Sequence, residues 1–178
     1  LMDMADSMTV NFSYHANDPS VGFSLHADYD CFKLFLADTG LFVTLAFMDR
    51  DYTGNVIYQK LLSDKLAVDL GYVYENAIAQ MLKSAGNELF YYTFQEEIVK
   101  DEDGNKTVRN YEVDFLLSRK DKICPIEVKS SGYKSHKSLD VFQEKFSSRI
   151  LQRYLLYTKD VRKDKDIFCL PAYMTGLF

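Results

Sequence analysis

Cysteine is scarce in this chain of 178 residues: Cys31, Cys124 and Cys169 are odd in number, far apart and never arranged as CxxC. That argues against a disulfide framework, and a reduced, cytoplasmic setting is the simplest reading. Histidine is limited to His15, His26 and His136, with no HxH or HxxxH spacing, so a zinc site around His26 and Cys31 lacks the clustered ligands such centres need. No apolar run approaches the ~18 residues of a membrane span. The first residues show neither the basic nor the apolar region of a signal peptide. A GxxxxGK[ST] loop is missing, so ATP has no binding loop in this sequence. There is no internal repeat and no low-complexity stretch. A chain that begins at Leu1 rather than at methionine is expected to be a fragment or a processed product.

What is present is globular. Apolar residues make up 47% and aromatics 15%, and the length suits one domain with a sizeable core and a small appendage. The net charge of −5 hides an asymmetry. Residues 119–165 hold 13 Lys or Arg against 6 Asp or Glu, a balance of +7, and the remainder stands at −12. Such a block suits a polyanionic partner, DNA above all. A solvated surface on helices and loops is the plainer reading of the same charges.

Weak alternation at 9–14 and 21–26 around Asn17-Asp-Pro-Ser20 predicts a hairpin. Residues 32–36 predict a strand, 41–48 a short helix and 55–66 another helix, after a polar loop at 51–55. Tyr74, Ala77, Ile78, Met81, Leu82 and Ala85 fall on one helical face, between Gly71 and Gly86. Strands are expected at 89–99, 153–158 and 167–170, an exposed turn at 101–106, and a helix at 138–146 with Leu139, Phe142 and Phe146 inward. From residue 72 onward the order is α, β, β, β, α, β. Asp38-Thr-Gly40 has the look of an aspartic-protease motif, but Leu41 replaces the small residue usual there and no second half is visible. A buried Asp capping the following helix is the better reading.

The most informative segment is Tyr111–Ser118 followed, after a charged turn, by Ile123–Ser130. Both runs alternate and are rich in β-branched and aromatic residues, which predicts a hairpin. A turn at 119–122 pairs Leu117 with Cys124, Phe115 with Ile126 and Val113 with Val128. This register sets Asp114 opposite Glu127 and Glu112 opposite Lys129, and a one-residue slip would mix apolar and charged side chains on each face. Two carboxylates that close repel unless a proton or a cation lies between them. A hard cation with oxygen ligands, Mg²⁺ or Mn²⁺, meets that need.

Asp114 followed thirteen residues later by Glu127-Val-Lys129 resembles the D…(D/E)xK signature of the PD-(D/E)XK nuclease superfamily. The stretches at 32–41, 71–77, 111–116 and 125–130 together resemble an uncharacterised domain family that usually forms the C-terminal part of bacterial AAA-type ATPases. The resemblance implies an α/β fold with a restriction-endonuclease-like αβββαβ core and a mixed sheet. Residues 1–30 are then a remnant of a preceding winged-helix segment, and 31–178 the nuclease-like domain with its core at 72–170. It implies a Mg²⁺- or Mn²⁺-dependent nuclease acting on DNA, with Asp114, Glu127 and Lys129 catalytic. Asp114, Glu127, Glu75 and the Val128 carbonyl would hold the metal. Lys129 would serve as an electrostatic donor to the attacking water or the phosphate. Ser130, Ser131, Lys134 and Lys137 follow the motif and are placed either to hold phosphates or as a polar loop. For Glu75 the plainer reading is a favourable charge in the first turn of its helix. The alternative function is an inactive nucleic-acid-binding or regulatory module of the ATPase.

Overall fold

The computed structural model describes residues 2–48, 59, 70–99 and 106–178. A short helix α1 (Met2–Asp6) leads into β1 (Val10–Ala16), a single turn α2 (Phe23–His26), β2 (Ala27–Leu36) and α3 (Thr39–Ala46). Then come α4 (Gly71–Ser84), β3 (Leu89–Val99), β4 (Lys106–Val113), β5 (Phe115–Arg119) and β6 (Lys122–Lys129). Helix α5 (Lys137–Phe146), β7 (Arg153–Tyr157), β8 (Arg162–Asp164) and β9 (Ile167–Pro171) complete the order before a closing 3₁₀ turn at Ala172–Leu177. The expected helix at 55–66 and the turn at 101–106 fall almost entirely outside the described residues.

Two mixed sheets result. One has the order β2-β1-β3-β4, and the other β5-β6-β7-β9-β8. In the first, β1 runs antiparallel to β2 and parallel to β3. Residues 21–26, expected as the second strand of a hairpin, instead form a loop and α2, and the partner of β1 is the longer β2. Gly22 explains the break: its φ of +82° turns the chain in a way L side chains resist. In the second sheet, β6–β7 and β7–β9 are parallel, while β5–β6 and β8–β9 are antiparallel.

Asp114 joins the two sheets. Val113 ends β4 opposite Tyr92 in the first sheet, and Phe115 opens β5 opposite Ile126 in the second. The pairs Phe115–Ile126 and Leu117–Cys124 follow the register read from alternation. Val113 does not pair with Val128, because the chain bends at Asp114 and changes sheet. An aspartate is a poor strand residue, and its carboxylate here accepts a hydrogen bond from the Val128 N–H at 2.7 Å. The side chain thus occupies the hydrogen-bonding position that a continued strand would have filled.

The second sheet is covered on both faces. Cys124 and Ile126 of β6 and Leu156 of β7 pack against Ile78, Ala79 and Leu82 of α4. On the other face Ile123 meets Val141 and Phe142 of α5, and Leu155 meets Leu139. Pro125 lies in β6 just before the pairing with β7 begins at Ile126, so its missing N–H costs no ladder bond there. Helix α4 buries a face slightly rotated from the expected one: Asn76 and Ala79 are buried with Ile78 and Leu82, while Ala85 is exposed. The rotation serves Asn76, whose amide oxygen accepts from the Leu36 N–H at 2.8 Å. Its amide nitrogen donates to the Leu36 carbonyl and to Thr39 Oγ1. Asp38 caps α3 by accepting from the Gly40 and Leu41 N–H groups, as expected, but it does so as an exposed residue and not a buried one.

Asn76 is 2% exposed, so its truncation strands the Leu36 backbone groups away from water. Asn76→Ala is expected to destabilise the fold by about 2–4 kcal/mol, measured by denaturant unfolding. A loss below about 0.5 kcal/mol would mean that water replaces the amide.

Candidate functional site

The carboxyl ends of β6 and β7, the bend at Asp114 and the N-terminal half of α4 converge on a group of acids. Among the described residues, Glu75, Glu112 and Asp114 bring carboxylate oxygens within 4.8 Å of one another. Each comes from a different element: Glu75 from α4, Glu112 from the end of β4, Asp114 from the bend. Glu75 is the fifth residue of α4, beyond the first turn, so the helix dipole does little to favour it there. It is held instead by Lys33 on β2, whose Nζ lies 2.9 Å from Glu75 Oε1 and 2.5 Å from Glu112 Oε1.

Asp114 is the electrostatically strained member. Burial, then the neighbouring Glu75 carboxylate, push its carboxyl up to about 8, against the opposing pull of the Val128 N–H and Lys33. Lys33 shows the converse. Burial disfavours its charge, but Glu75 and Glu112 outweigh that and hold the ammonium well above its ordinary range.

Glu127 and Lys129 flank this group. Lys129 Nζ pairs with Glu127 Oε1 at 2.7 Å, and Glu127 is only 4% exposed. Glu127 Oε2 is buried without a partner in hydrogen-bond geometry among the described residues. Burial pushes the Glu127 carboxyl up, while Lys129 and, more weakly, His136 and the Leu139 N–H at the start of α5 pull it down. Burial opposes the Lys129 charge, but Glu127 and then Asp114 raise it, so this ammonium feels both acids of the motif.

The structure therefore joins Asp114 to Glu75 and to Glu112, and it joins Glu127 to Lys129. Val128 contributes its N–H to Asp114. Glu112, expected opposite Lys129, pairs with Thr93 across β3–β4 and turns its carboxylate to Lys33. Lys33 and Glu112 were not among the site residues read from sequence. The signal for Lys33 was a lone cation inside the apolar run Phe32–Leu36; for Glu112 it was the two-residue spacing from Asp114.

The basic block at 119–165 does not form one surface. Arg119, Lys120 and Lys122 lie at the opposite end of β6 from Lys129, a strand of 8 residues or about 25 Å away. Arg153 is buried and paired with Asp140 and Asp166, Arg149 pairs with Asp18, and Arg162 with Asp164. Ser130, Ser131, Lys134 and Lys137 lie on the loop from β6 to α5 and on the first residue of that helix. Lys134 and Lys137 are exposed there, next in sequence to the Glu127–Lys129 pair.

Fold and site define a mixed α/β domain with a carboxylate group where its two sheets meet. Residues 70–174, more than half of the chain, match the family described as Domain of unknown function (DUF4143), and the chain belongs to that family. No curated protein and no solved structure matches it. Among the described residues, no helix is long and apolar enough to cross a membrane.

The raised Asp114 carboxyl makes stability depend on pH. At about 8 in the fold, against about 4 in an unfolded chain, Asp114 keeps a proton that the unfolded state has released. Stability of the metal-free protein should therefore fall as pH rises from about 4 to about 8, and level off above that. Asp114→Asn can still accept the Val128 N–H through its amide oxygen. It is expected to flatten this slope and to melt higher than the wild type at alkaline pH, measured by thermal denaturation across the range without divalent cations. An unchanged slope would assign the titration to another group.

Proposed function

We propose that this domain is a metal-dependent nuclease of the PD-(D/E)XK kind, acting on DNA and normally joined to an AAA-type ATPase. The observation that carries the reading is the meeting of Asp114 with Glu75 and Glu112, beside the Glu127–Lys129 pair, at one end of β6. The donor set suits a hard divalent cation: all are carboxylate oxygens, and the half-buried Asp114 resists ionising without a positive neighbour. Asp114 and Glu75 would hold Mg²⁺ or Mn²⁺, with Glu112 as an added ligand and Glu127 and the Val128 carbonyl on the flank. Bound there, the metal would lower the pKa of a water and offset charge on the scissile phosphate.

The chain's own residues divide the remaining work. Lys129 stays protonated beside two carboxylates, so it acts by charge on the phosphate or the attacking water and not as a base. Glu127 positions that ammonium through their 2.7 Å contact. The Val128 N–H fixes the Asp114 carboxylate and, with it, the meeting point of the sheets. Ser130, Ser131, Lys134 and Lys137 are placed to hold the polynucleotide backbone downstream of the motif. The order α4, β3 to β6, α5, β7 accommodates an αβββαβ restriction-endonuclease-like core if β4 and β5 are counted as one strand bent at Asp114.

A second reading has its own support. Lys33 already neutralises part of the acid group, as expected of an inactive nucleic-acid-binding or regulatory module of the ATPase. Activity separates the two. The nuclease reading expects Mn²⁺-dependent cutting of single-stranded, nicked, flapped or branched DNA. Lys129→Ala should lower the rate by about 10²–10³ and leave Mn²⁺ and DNA affinity nearly intact. Metal binding with no cutting of any substrate, with or without the ATPase portion, would favour the module.

A further inference from the structure

We infer that Lys33 is a tethered cation that guards the acid group, and that a divalent metal enters only as the Lys33 ammonium leaves. The inference rests on the metal-site reading and adds a regulation to it. Glu75, Glu112 and Asp114 bring carboxylate oxygens within 4.8 Å of one another, and acids at that spacing need protons or positive charge between them. Lys33 supplies it by reaching from β2 to two of the three at once. The oxygens it engages, Glu75 Oε1 and Glu112 Oε1, belong to two of the three carboxyl groups that would ligate the metal. An ammonium and a divalent ion cannot share these oxygens at bonding distance, since like charges that close repel strongly in a partly buried site.

In the same position the Lys33 Nζ also lies 5.2 Å from the centroid of the Tyr91 ring on β3, a face that stabilises a cation and toward which the freed ammonium would turn. The Tyr91 hydroxyl is fixed by Cys31 Sγ at 3.2 Å, so the platform is in place before the lysine moves. A flexible four-carbon stem lets Lys33 give up its carboxylates without a backbone change. The structure as seen is thus the resting state, with the acid group neutralised from within. Metal affinity is lowered by the fraction of time the lysine is bound.

Lys33→Met removes the charge and keeps the length of the side chain, and Lys33→Arg keeps the charge. Mn²⁺ binding is measured calorimetrically on the intact chain, together with the Mn²⁺-induced rise in melting temperature. The inference expects Lys33→Met to bind Mn²⁺ at least about tenfold more tightly than the wild type and to gain more in melting temperature. Without metal that variant should melt lower than the wild type. Lys33→Arg should bind no better than the wild type. Binding by Lys33→Met with undetectable binding by the wild type is the same result in its extreme form. If both bind equally, or Lys33→Met binds less tightly, Lys33 does not compete; the inference fails and the metal site stands. If neither binds, both the inference and the metal site fail. Should Lys33→Met not fold, Lys33→Gln is used, which keeps hydrogen-bond donors to Glu75 and Glu112. Folding of a neutral variant only with Mn²⁺ supports competition, and failure to fold even with Mn²⁺ overturns it.

Discussion

The hydrogen bond from the Val128 N–H to Asp114 fixes the geometry on which the rest of the site depends. It lies where one continuous segment leaves the first sheet and enters the second. Hydrophobic burial makes both sheets stable, but burial is non-directional and does not say at which residue the chain should change sheets. The carboxylate does. It takes the N–H that a continued strand would have paired, so the bend costs no unsatisfied donor. The same bond aims Asp114 at the end of β6, where Glu75 of α4 and Glu112 of β4 arrive from other directions.

Charge pairing around that bend has two tiers. Lys33 spans Glu75 and Glu112 on one flank, and Lys129 holds Glu127 on the other. Asp114 lies between them, bonded to the backbone and felt by both ammonium groups. Buried and half-buried ion pairs of this kind contribute little net stability, because desolvation offsets most of the attraction. Their presence is better explained by placement: they hold each carboxylate in one rotamer within a site whose groups would otherwise repel.

Much of this was legible in the residues. Alternation through 115–119 and 122–129 fixes which side chains share a face, and the observed pairs Phe115–Ile126 and Leu117–Cys124 follow from it. The spacing at Ile78 and Leu82 finds α4, and the Gly86 signal marks its end. What alternation cannot encode is a change of partner. Val113 and Phe115 continue one periodic pattern although they belong to different sheets, so the expected meeting of Val113 with Val128 was a local extrapolation of a non-local fact. Lys33 was hidden for a similar reason: its acids lie 42 and 79 positions away in sequence. Likewise, the basic block is contiguous in sequence but divided in space, because the length of β6 separates Arg119, Lys120 and Lys122 from Lys129.

The first strands also bear on where this domain begins. The family match starts at residue 70, whereas β1 pairs with β3 and β2 supplies Lys33. The matched stretch is therefore shorter than the folding unit. A fragment cut at residue 70 would lay open the edge of β3, uncover the core around Leu89 and Phe115 that Phe35 helps to close, and leave Glu75 and Glu112 without the cation that joins them. An exposed strand edge beside uncovered apolar surface invites self-association. Aggregation of such a fragment would then reflect the missing strands and would say nothing of what the whole domain does.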